Sequence, residues 1–518
     1  MAFIEALSSD LLLDIMSHLG RPEWVAMAKT SRRFSDCAQR CLYHRIKIPT
    51  QGSEGHPNAD IIYPLLMTLW TAPRLTELIH ELDLRYNESR KWNAGRRFIV
   101  HKTMLDRINM KLLDRLCISQ ELTDKVKRSI HSTGNHATLA LVVSLCKKLR
   151  RIDLDLSLFE KAPRLLMAVL VPRDSLKTWK KSYRGLRELH TFKIWNNEGV
   201  QAATHYKNEA TYWDLTAAVS CLPSLETLQL VLPADTRAVV DRKLPISLPM
   251  VKKLQLIDLG TSKEKLAELV RAASKLERLE LFRAMDTDVI INQNDEDRAY
   301  IGLWPGLQQA LAGKERQLRE LVIALGYIHT RMEDPLTPHR DVDLKWRREL
   351  WHRMGNMSNL REFESLQNLE IPIFALLGWH QRTDCGLEEA LPPNLKHLTL
   401  RDDCCDWPSR AYRWMDPRNK HVASTTTDSL VRYLLKLDGA PFTQPLKTVC
   451  LRIKYDQLWS ELASWSFNLG KKDSVYFHMS TSNSTSIQAH EDRSRIAPVE
   501  TTSQLEDYMY QEHYYDRI

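Results

Sequence analysis

The sequence is poor in the residues and motifs from which catalytic sites are built. Its 518 residues include 17 glycines and 9 cysteines, and the glycines form no loop of the kind that cradles a phosphate. The His-Glu-x-x-His motif of metalloproteases, the Gly-x-Ser-x-Gly motif of serine hydrolases and the paired Cys-x-x-Cys motifs of zinc modules are all missing. These absences disfavour an enzyme and favour a protein that acts by binding a partner.

Long apolar runs are missing as well. The longest one, Leu139 to Cys146, includes Ser144 and is far too short to span a bilayer. Three acidic residues near the N-terminus interrupt the region where the apolar segment of a signal peptide would lie. The cysteines are odd in number and lack the spacing of a disulfide framework, which is typical of reduced thiols. We therefore expect a cytoplasmic or nuclear protein with no membrane contact.

Neither a metal ion nor a nucleic acid is favoured as a ligand. One region is locally rich in metal-ligating residue types, but their spacing fits no standard zinc pattern. These residues are His380, Cys385, His397, Cys404 and Cys405. The net charge of +8 is small for this length, and no aromatic stacking motif accompanies the basic clusters. We expect no cofactor and no metal, and we interpret the basic clusters as solvated surface.

Helical spacing predicts three short helices in the first fifty residues. The first carries an apolar stripe that stops before Gly20: Leu11, Leu12, Ile15, Met16 and Leu19. Pro22 suits the first turn of the second helix. The third has a stripe with i, i+3, i+4, i+7, i+8 spacing: Phe34, Cys37, Ala38, Cys41 and Leu42. A unit of this size has little room for a core. It is either a cap on a larger domain or a segment whose spare apolar face docks on another protein.

This segment resembles an F-box. The matching residues are Leu7, Asp10, Leu11, Leu12, Ile15, Leu19, the run Ser31-Arg32-Arg33-Phe34, and Leu42-Tyr43. Ser8 stands where the family usually has proline, and Thr30 stands where it usually has valine. The resemblance implies binding to a Skp-type adaptor and, through it, to a cullin–RING ubiquitin ligase. It implies an adaptor-binding surface made of Leu7, Leu11, Ile15, Leu19, Trp24, Val25 and Leu42.

A Leu-x-x-Leu-x-Leu pattern organises the rest of the chain. The copies are Ile79/Leu82/Leu84, Leu149/Ile152/Leu154, Leu189/Phe192/Ile194, Leu225/Leu228/Leu230, Val251/Leu254/Leu256, Leu276/Leu279/Leu281, Leu318/Leu321/Ile323, Leu366/Leu369/Ile371, Leu395/Leu398/Leu400 and Leu446/Val449/Leu451. Each copy ends in the two-residue alternation of a strand with one buried face. Several copies follow a helical stretch, and repeated helix-then-strand units stack into a solenoid.

These copies resemble irregular leucine-rich repeats. The predicted fold class is α/β, with an N-terminal three-helix F-box followed by an irregular leucine-rich-repeat-like solenoid that has a curved parallel sheet. The alternative is an ordinary α/β domain with leucine-rich strands. The predicted domains are the F-box at 1–50, the solenoid at 51–470 and a polar, partly disordered tail at 471–518. Insertions are expected at about 86–134, 286–304, 329–346 and 404–420.

Residues that alternate with the buried leucines are expected on the opposite, concave face of the sheet. That face mixes both charges with a few apolar groups, which suits a protein partner better than a uniformly anionic one. The candidate substrate-binding residues are Arg151, Asp153, Gln229, Gln255, Arg278, Glu280, Phe282, His397 and Arg401. The alternative is that this face is merely solvated.

The two resemblances together imply the substrate-recruiting subunit of a Skp–cullin–F-box ubiquitin ligase. Such a subunit is not catalytic; it binds the Skp adaptor through the F-box and an unknown protein substrate through the repeats. One alternative is an F-box and leucine-rich-repeat scaffold that does not drive ubiquitination. A more remote alternative is an α/β enzyme without a recognisable motif.

Overall fold

The computed structural model describes part of the chain. The described residues are 7–48, 59–84, 135–156, 186–195, 213, 216–217, 219–220, 222–232, 246–258, 261–286, 303–328, 355–357, 360–372, 375–376, 390–401, 446–453 and 476–481. The insertions predicted at 86–134, 329–346 and 404–420 lie outside these residues. So does nearly all of the insertion predicted at 286–304.

The chain divides into two compact units. The first consists of Met1–Glu198, Tyr206–Val231 and Asp241–Val251, and the second of Gly199–His205, Leu232–Val240 and Lys252–Ile518. Each unit is described by itself below.

The first unit opens with three short helices. They are α1 (Ser9–Ser17), α2 (Arg21–Ala28) and α3 (Arg32–His44). The hydroxyl of Ser8 accepts a hydrogen bond from the backbone N–H of Leu11 at 3.3 Å, and that of Ser31 accepts one from Phe34 at 3.3 Å. Both hydroxyls satisfy N–H groups that have no partner within the helix. Pro22 lies in the first turn of α2, as its spacing predicted.

A small apolar core joins α1 to α3. Leu12 and Met16 of α1 are buried together with Phe34, Cys37 and Ala38 of α3. The inward residues of α1 are four apart and those of α3 are three and four apart, which places each set on one helical face. The stripe predicted for α3 therefore supplies most of this core.

Helix α3 leads directly into the first strand of a parallel sheet. Strand β1 (Arg45–Lys47) begins at the residue after His44 and pairs with β2 (Glu81–Leu84), so that Ile46 lies opposite Leu82. The sequence pattern placed the first strand at the Ile79 copy and did not predict β1. The reason is that β1 has three residues, of which only Ile46 is apolar.

The other elements of the first unit alternate between helices and strands. They are α4 (Ala59–Thr71), a 3-10 helix (Pro73–Glu77), α5 (Asn135–Leu145), β3 (Arg151–Asp155), β4 (Thr191–Trp195) and β5 (Thr227–Leu232). Strands β1 to β5 pair in chain order and all pairs are parallel. The leucine positions line up across the strands; for example, Ile152 lies opposite Phe192, and both are buried.

The second unit repeats this arrangement. Its elements are β6 (Lys253–Asp258), α6 (Lys263–Ala272), β7 (Arg278–Asp286), α7 (Leu303–Leu311), β8 (Glu320–Ile328), a 3-10 helix (Leu360–Glu362), β9 (Asn368–Pro372), β10 (His397–Arg401), β11 (Thr448–Ile453) and β12 (Tyr476–Thr481). Strands β6 to β12 also pair in chain order and in parallel. Strand β12 lies within the range predicted as a polar tail. Phe477 and Met479 alternate with polar residues there, which suits a strand with one buried face.

The entry into most of the described strands has the same hydrogen-bond pattern. The carbonyl of the residue before one strand accepts two N–H groups at the start of the next one. The carbonyl of His190 accepts from Glu226 and Thr227, both at 2.9 Å, and that of Lys396 accepts from Lys447 at 2.8 Å and Thr448 at 3.1 Å. Successive strands therefore start level with one another.

The predicted leucines fill the core of both units. Leu228, Leu254, Leu279 and Leu398 are each at most 1% exposed, and all lie on parallel strands, so this prediction is confirmed. Helices α6 and α7 pack against each other and bury apolar residues that include Leu269 and Leu307. Among the helices of the described ranges, none is long and apolar enough to cross a membrane.

Candidate functional site

Helix α1 is apolar on two sides. Leu12 and Met16 point into the core, whereas Leu11 is 52% exposed and Ile15 is 43% exposed. Residues four apart lie on the same side of a helix, so these two form an outward ridge. Val25 of α2 is 44% exposed. These three are the large apolar side chains that the described part of the chain exposes, and we call them the exposed apolar patch.

The other four predicted adaptor-binding residues are half-buried: Leu7, Leu19, Trp24 and Leu42. Leu7 and Trp24 pack against the core of the three helices. The indole Nε1 of Trp24 also donates a hydrogen bond to the carbonyl oxygen of Met16 at 2.7 Å. The structure therefore uses Trp24 to hold α2 against α1, a role that the sequence pattern did not predict.

The Ser-Arg-Arg-Phe run also holds the three helices together. Ser31 caps α3, and Phe34 is buried in the core. The guanidinium of Arg33 donates a hydrogen bond to the carbonyl oxygen of Leu7, which fixes the chain that leads into α1. The Ser-Arg-Arg-Phe run thus stabilises the fold of the three helices, and none of its residues belongs to the exposed apolar patch.

Most of the predicted substrate-binding residues are buried. Three of them begin a strand and remain accessible: Arg151 and Arg278 are partly exposed, and His397 is exposed. The other six are at most 5% exposed: Asp153, Gln229, Gln255, Glu280, Phe282 and Arg401. Because these six side chains are buried, they do not offer the accessible surface that the predicted substrate contact needs. The first position of each strand from β1 to β11 on this face is accessible, and we call these positions the strand-start row. Further along the strands, Lys193 and Thr399 are also partly exposed.

Polar groups of this face are paired across the strands, which explains how they are buried. Glu280 accepts from Lys253 Nζ at 2.9 Å, from Arg278 and from the Gln255 amide. Arg278 Nη1 also lies 2.7 Å from a carboxylate oxygen of Glu320. These residues form one network over β6, β7 and β8.

The two carboxylates of this network titrate differently. Burial by itself would raise the pKa of Glu280, but Lys253, Arg278 and the hydrogen bond from Gln255 hold that pKa below its usual range. Burial raises the pKa of Glu320, Glu280 and Glu370 add to that effect, and the cations Arg278 and Lys253 do not offset it. Glu280 is therefore the well-paired carboxylate, and Glu320 is the poorly compensated one.

Two further ion pairs use residues of the predicted substrate-binding set. Arg151 donates to both carboxylate oxygens of Asp153, with Nη2 at 2.7 Å from Oδ2. Arg401 pairs with Glu370 of the neighbouring strand, and both side chains are buried. Asp153 and Arg401 thus have partners inside the protein.

Sequence reasoning missed an ion pair on the leucine side of the sheet. Asp258 and Arg283 lie opposite each other in the register of β6 and β7, and both are fully buried. Asp258 Oδ1 also accepts from the backbone N–H of Thr261 at 2.8 Å. A signal was present, because the two opposite charges stand at the same offset after neighbouring Leu-x-Leu copies.

Cations gather where β10 and β11 begin. His397 is exposed, as is Lys447, and Lys396 is half-buried. His397 Nδ1 lies 2.7 Å from the hydroxyl of Thr448. Partial burial, followed by Lys447 and Lys396, lowers the pKa of His397. Within the described ranges, no group of three His, Cys, Asp or Glu residues could hold a metal ion.

The comparisons with known proteins agree with the geometry of the three helices. A search of curated proteins found no match to this chain. A scan against protein-family models found the F-box domain at residues 4–45. This range includes all three helices, their core and the exposed apolar patch, and the match supports an F-box protein.

Proposed function

We propose that this protein is the substrate-recruiting subunit of a Skp–cullin–F-box ubiquitin ligase. The observation that carries the proposal is the exposure of Leu11, Ile15 and Val25 on a segment that matches the F-box domain. F-box proteins are generally non-catalytic adaptors of ubiquitin ligases, and the partner that the F-box implies is the Skp adaptor.

The energetics of the exposed apolar patch favour such a contact. Full burial of a large apolar side chain is worth about 1.5–3 kcal/mol, and these three side chains are close to half exposed. Covering them would therefore contribute about 1 kcal/mol each. The half-buried Leu7, Leu19 and Leu42 would extend the covered surface, whereas Trp24 contributes mainly by holding α2 in place.

We propose that the rest of the chain is an irregular leucine-rich-repeat-like solenoid that binds a protein substrate. Parallel pairing in chain order and the common hydrogen-bond pattern at strand entry support repeated units. The strand-start row is the accessible part of the predicted binding face, so Arg151, Arg278 and His397 are the predicted residues best placed to contact a substrate. We place the protein in the cytoplasm or nucleus, where ubiquitin ligases act.

The experiment that tests the proposal is co-purification with the Skp adaptor. Leu11→Asp and Ile15→Asp put charge on the ridge without touching the core, so both variants should fold and lose the adaptor. Arg361→Asp changes an exposed residue of the second unit and is the matched control, which should keep the adaptor. A folded ridge variant that still binds the adaptor would contradict the proposal.

A second measurement separates a ligase subunit from a scaffold. If a protein captured by the full chain is a ubiquitination substrate, its cellular level should rise when cullin activity is inhibited. Unchanged levels together with retained adaptor binding would support the scaffold alternative.

A further inference from the structure

We propose that Lys396, His397 and Lys447, the basic cluster at the start of β10 and β11, bind an acidic segment of a protein partner. This inference rests on the proposed function, because it gives the chemical class of the partner that the second unit would recruit. Two of these residues, Lys396 and Lys447, were not among the predicted substrate-binding residues.

The geometry of the cluster is fixed by the backbone. The carbonyl of Lys396 accepts from the N–H groups of Lys447 and Thr448, and His397 lies opposite Thr448 in the strand register. Neighbouring strands lie about 4.8 Å apart. The two lysines therefore start from adjacent points on one edge, and their ammonium groups can reach the same anion.

The cluster lacks an internal counter-ion in the described part of the chain. Lys396 Nζ donates to the neutral amide oxygen of Gln367 at 2.9 Å, and no described carboxylate forms an ion pair with Lys396 or Lys447. The nearby Glu370 is buried and already paired with Arg401. Mutual repulsion among these cations would be relieved by a carboxylate from outside.

The surroundings favour an acidic peptide over a nucleic acid. Along the strand-start row the cluster is followed by the neutral Asn368 and then by Glu320, which is paired with Arg278, so the run of basic residues is short. Nucleic-acid surfaces carry longer basic stripes. A short segment with a few carboxylates matches two lysines and a histidine flanked by amide and hydroxyl groups, here Asn368 and Thr448.

The test uses the full chain and a fluorescein-labelled poly-glutamate peptide, with binding followed by anisotropy at low salt. Charge-assisted hydrogen bonds are strong enough that a variant with both Lys396→Gln and Lys447→Gln should weaken binding about tenfold or more. Arg319→Gln is the matched control, because Arg319 is also exposed and directly precedes a strand, two strands away. It should leave binding nearly unchanged.

Several outcomes of the peptide assay would overturn the inference. They are peptide binding that is absent, binding that survives the double substitution, and a loss in Arg319→Gln as large as that in the double variant. Tighter binding of a single-stranded oligo-thymidine would assign the cluster to nucleic acid and also overturn it. If the double variant unfolds, the single variant Lys447→Gln replaces it in the binding assay, because the side chain of Lys447 is exposed and its substitution should not affect folding. Adaptor co-purification is independent of this assay, so failure here leaves the proposed function standing.

Discussion

The indole Nε1 of Trp24 donates a hydrogen bond to the carbonyl oxygen of Met16 at 2.7 Å. Met16 lies in the last turn of α1, and its carbonyl oxygen also accepts the backbone N–H of Leu19 at 3.0 Å. The indole is therefore a second donor to this carbonyl, and its hydrogen bond joins α2 to α1. The orientation of Val25 relative to Leu11 and Ile15 depends on this contact, because Val25 follows Trp24 on the same helix.

Replacing Trp24 by Phe should lower the free energy of unfolding of the three helices by about 0.5–1.5 kcal/mol, the net value of one hydrogen bond. Phenylalanine keeps much of the packing but removes the donor that joins α2 to the Met16 carbonyl, which still accepts the N–H of Leu19. Thermal denaturation of the full chain measures the change, and Arg32→Gln at an exposed position is the control. A variant as stable as the original chain would show that this hydrogen bond makes no net contribution to the free energy of unfolding.

Removing one member of the Asp258–Arg283 pair should be strongly destabilising. Both side chains are fully buried, so Arg283→Met leaves an uncompensated carboxylate and should cost about 3–5 kcal/mol. Replacing both, as Asp258→Leu with Arg283→Met, should recover most of that loss. Urea denaturation of the two variants tests this. A double variant less stable than the single one would contradict it.

The two carboxylates around Arg278 should respond oppositely to pH. The pKa of Glu280 is lowered in the folded protein, so its stabilisation is present above the pKa of an unfolded glutamate and is lost as pH falls through the folded value. The pKa of Glu320 is raised, so its ionised form is a penalty at neutral pH that is relieved on acidification.

Glu280→Gln should therefore lower the urea midpoint at pH 7, and this loss should begin to shrink below about pH 4.3, where a glutamate of the unfolded chain becomes protonated. Glu320→Gln should leave the midpoint at pH 7 unchanged or raise it. Each variant serves as the control for the other, because both remove one carboxylate from the same network. If both variants lowered the urea midpoint equally at pH 7, the inference that the charge of Glu320 is poorly compensated would be contradicted.

Poly-glutamate binding should tighten as pH falls from about 7.5 to about 5.5. The lowered pKa of His397 keeps its imidazole mostly neutral at pH 7, so acidification adds a third cation to the basic cluster. The charged or titratable groups beside it are Lys396, Lys447 and, on the adjoining strands, the paired Glu370 and Arg401. His397→Gln should abolish the pH dependence and keep the binding at pH 7. A dependence that persists in this variant would place the titrating group elsewhere.

The sequence predicted which residues form the core and could not predict what becomes of the opposite face. Strict alternation placed Leu254 and Leu256 inside and Gln255 on the other side, as the structure has them. Alternation assigns a side chain to a face, but it carries no information about whether other parts of the chain cover that face. Glu280 and Arg401 are buried because they find partners on neighbouring strands, and those partners depend on a register that only the fold supplies.

The sequence predicted that the three helices expose apolar surface, but it did not predict which side chains are the exposed ones. Consecutive leucines from Leu11 to Leu13 showed that α1 has more apolar surface than one stripe can bury. Pattern alone could not separate the exposed Val25 from the half-buried Trp24, because they are adjacent and both apolar. The difference comes from the Met16 carbonyl, which is brought within reach of the indole only when α1 and α2 pack.

Helix α3 passes directly into β1, so no linker separates the three helices from the sheet of the first unit. No residue separates His44 from Arg45, the rings of His44 and His80 stack with centroids 4.9 Å apart, and Arg45 pairs with Glu81 at 3.5 Å. A flexible linker would let the two parts sample many distances. Under the proposed function, a substrate bound on β1–β5 would therefore lie at a fixed distance from the adaptor, so that the position of an acceptor lysine on the substrate, and not only its affinity, would select which site is modified.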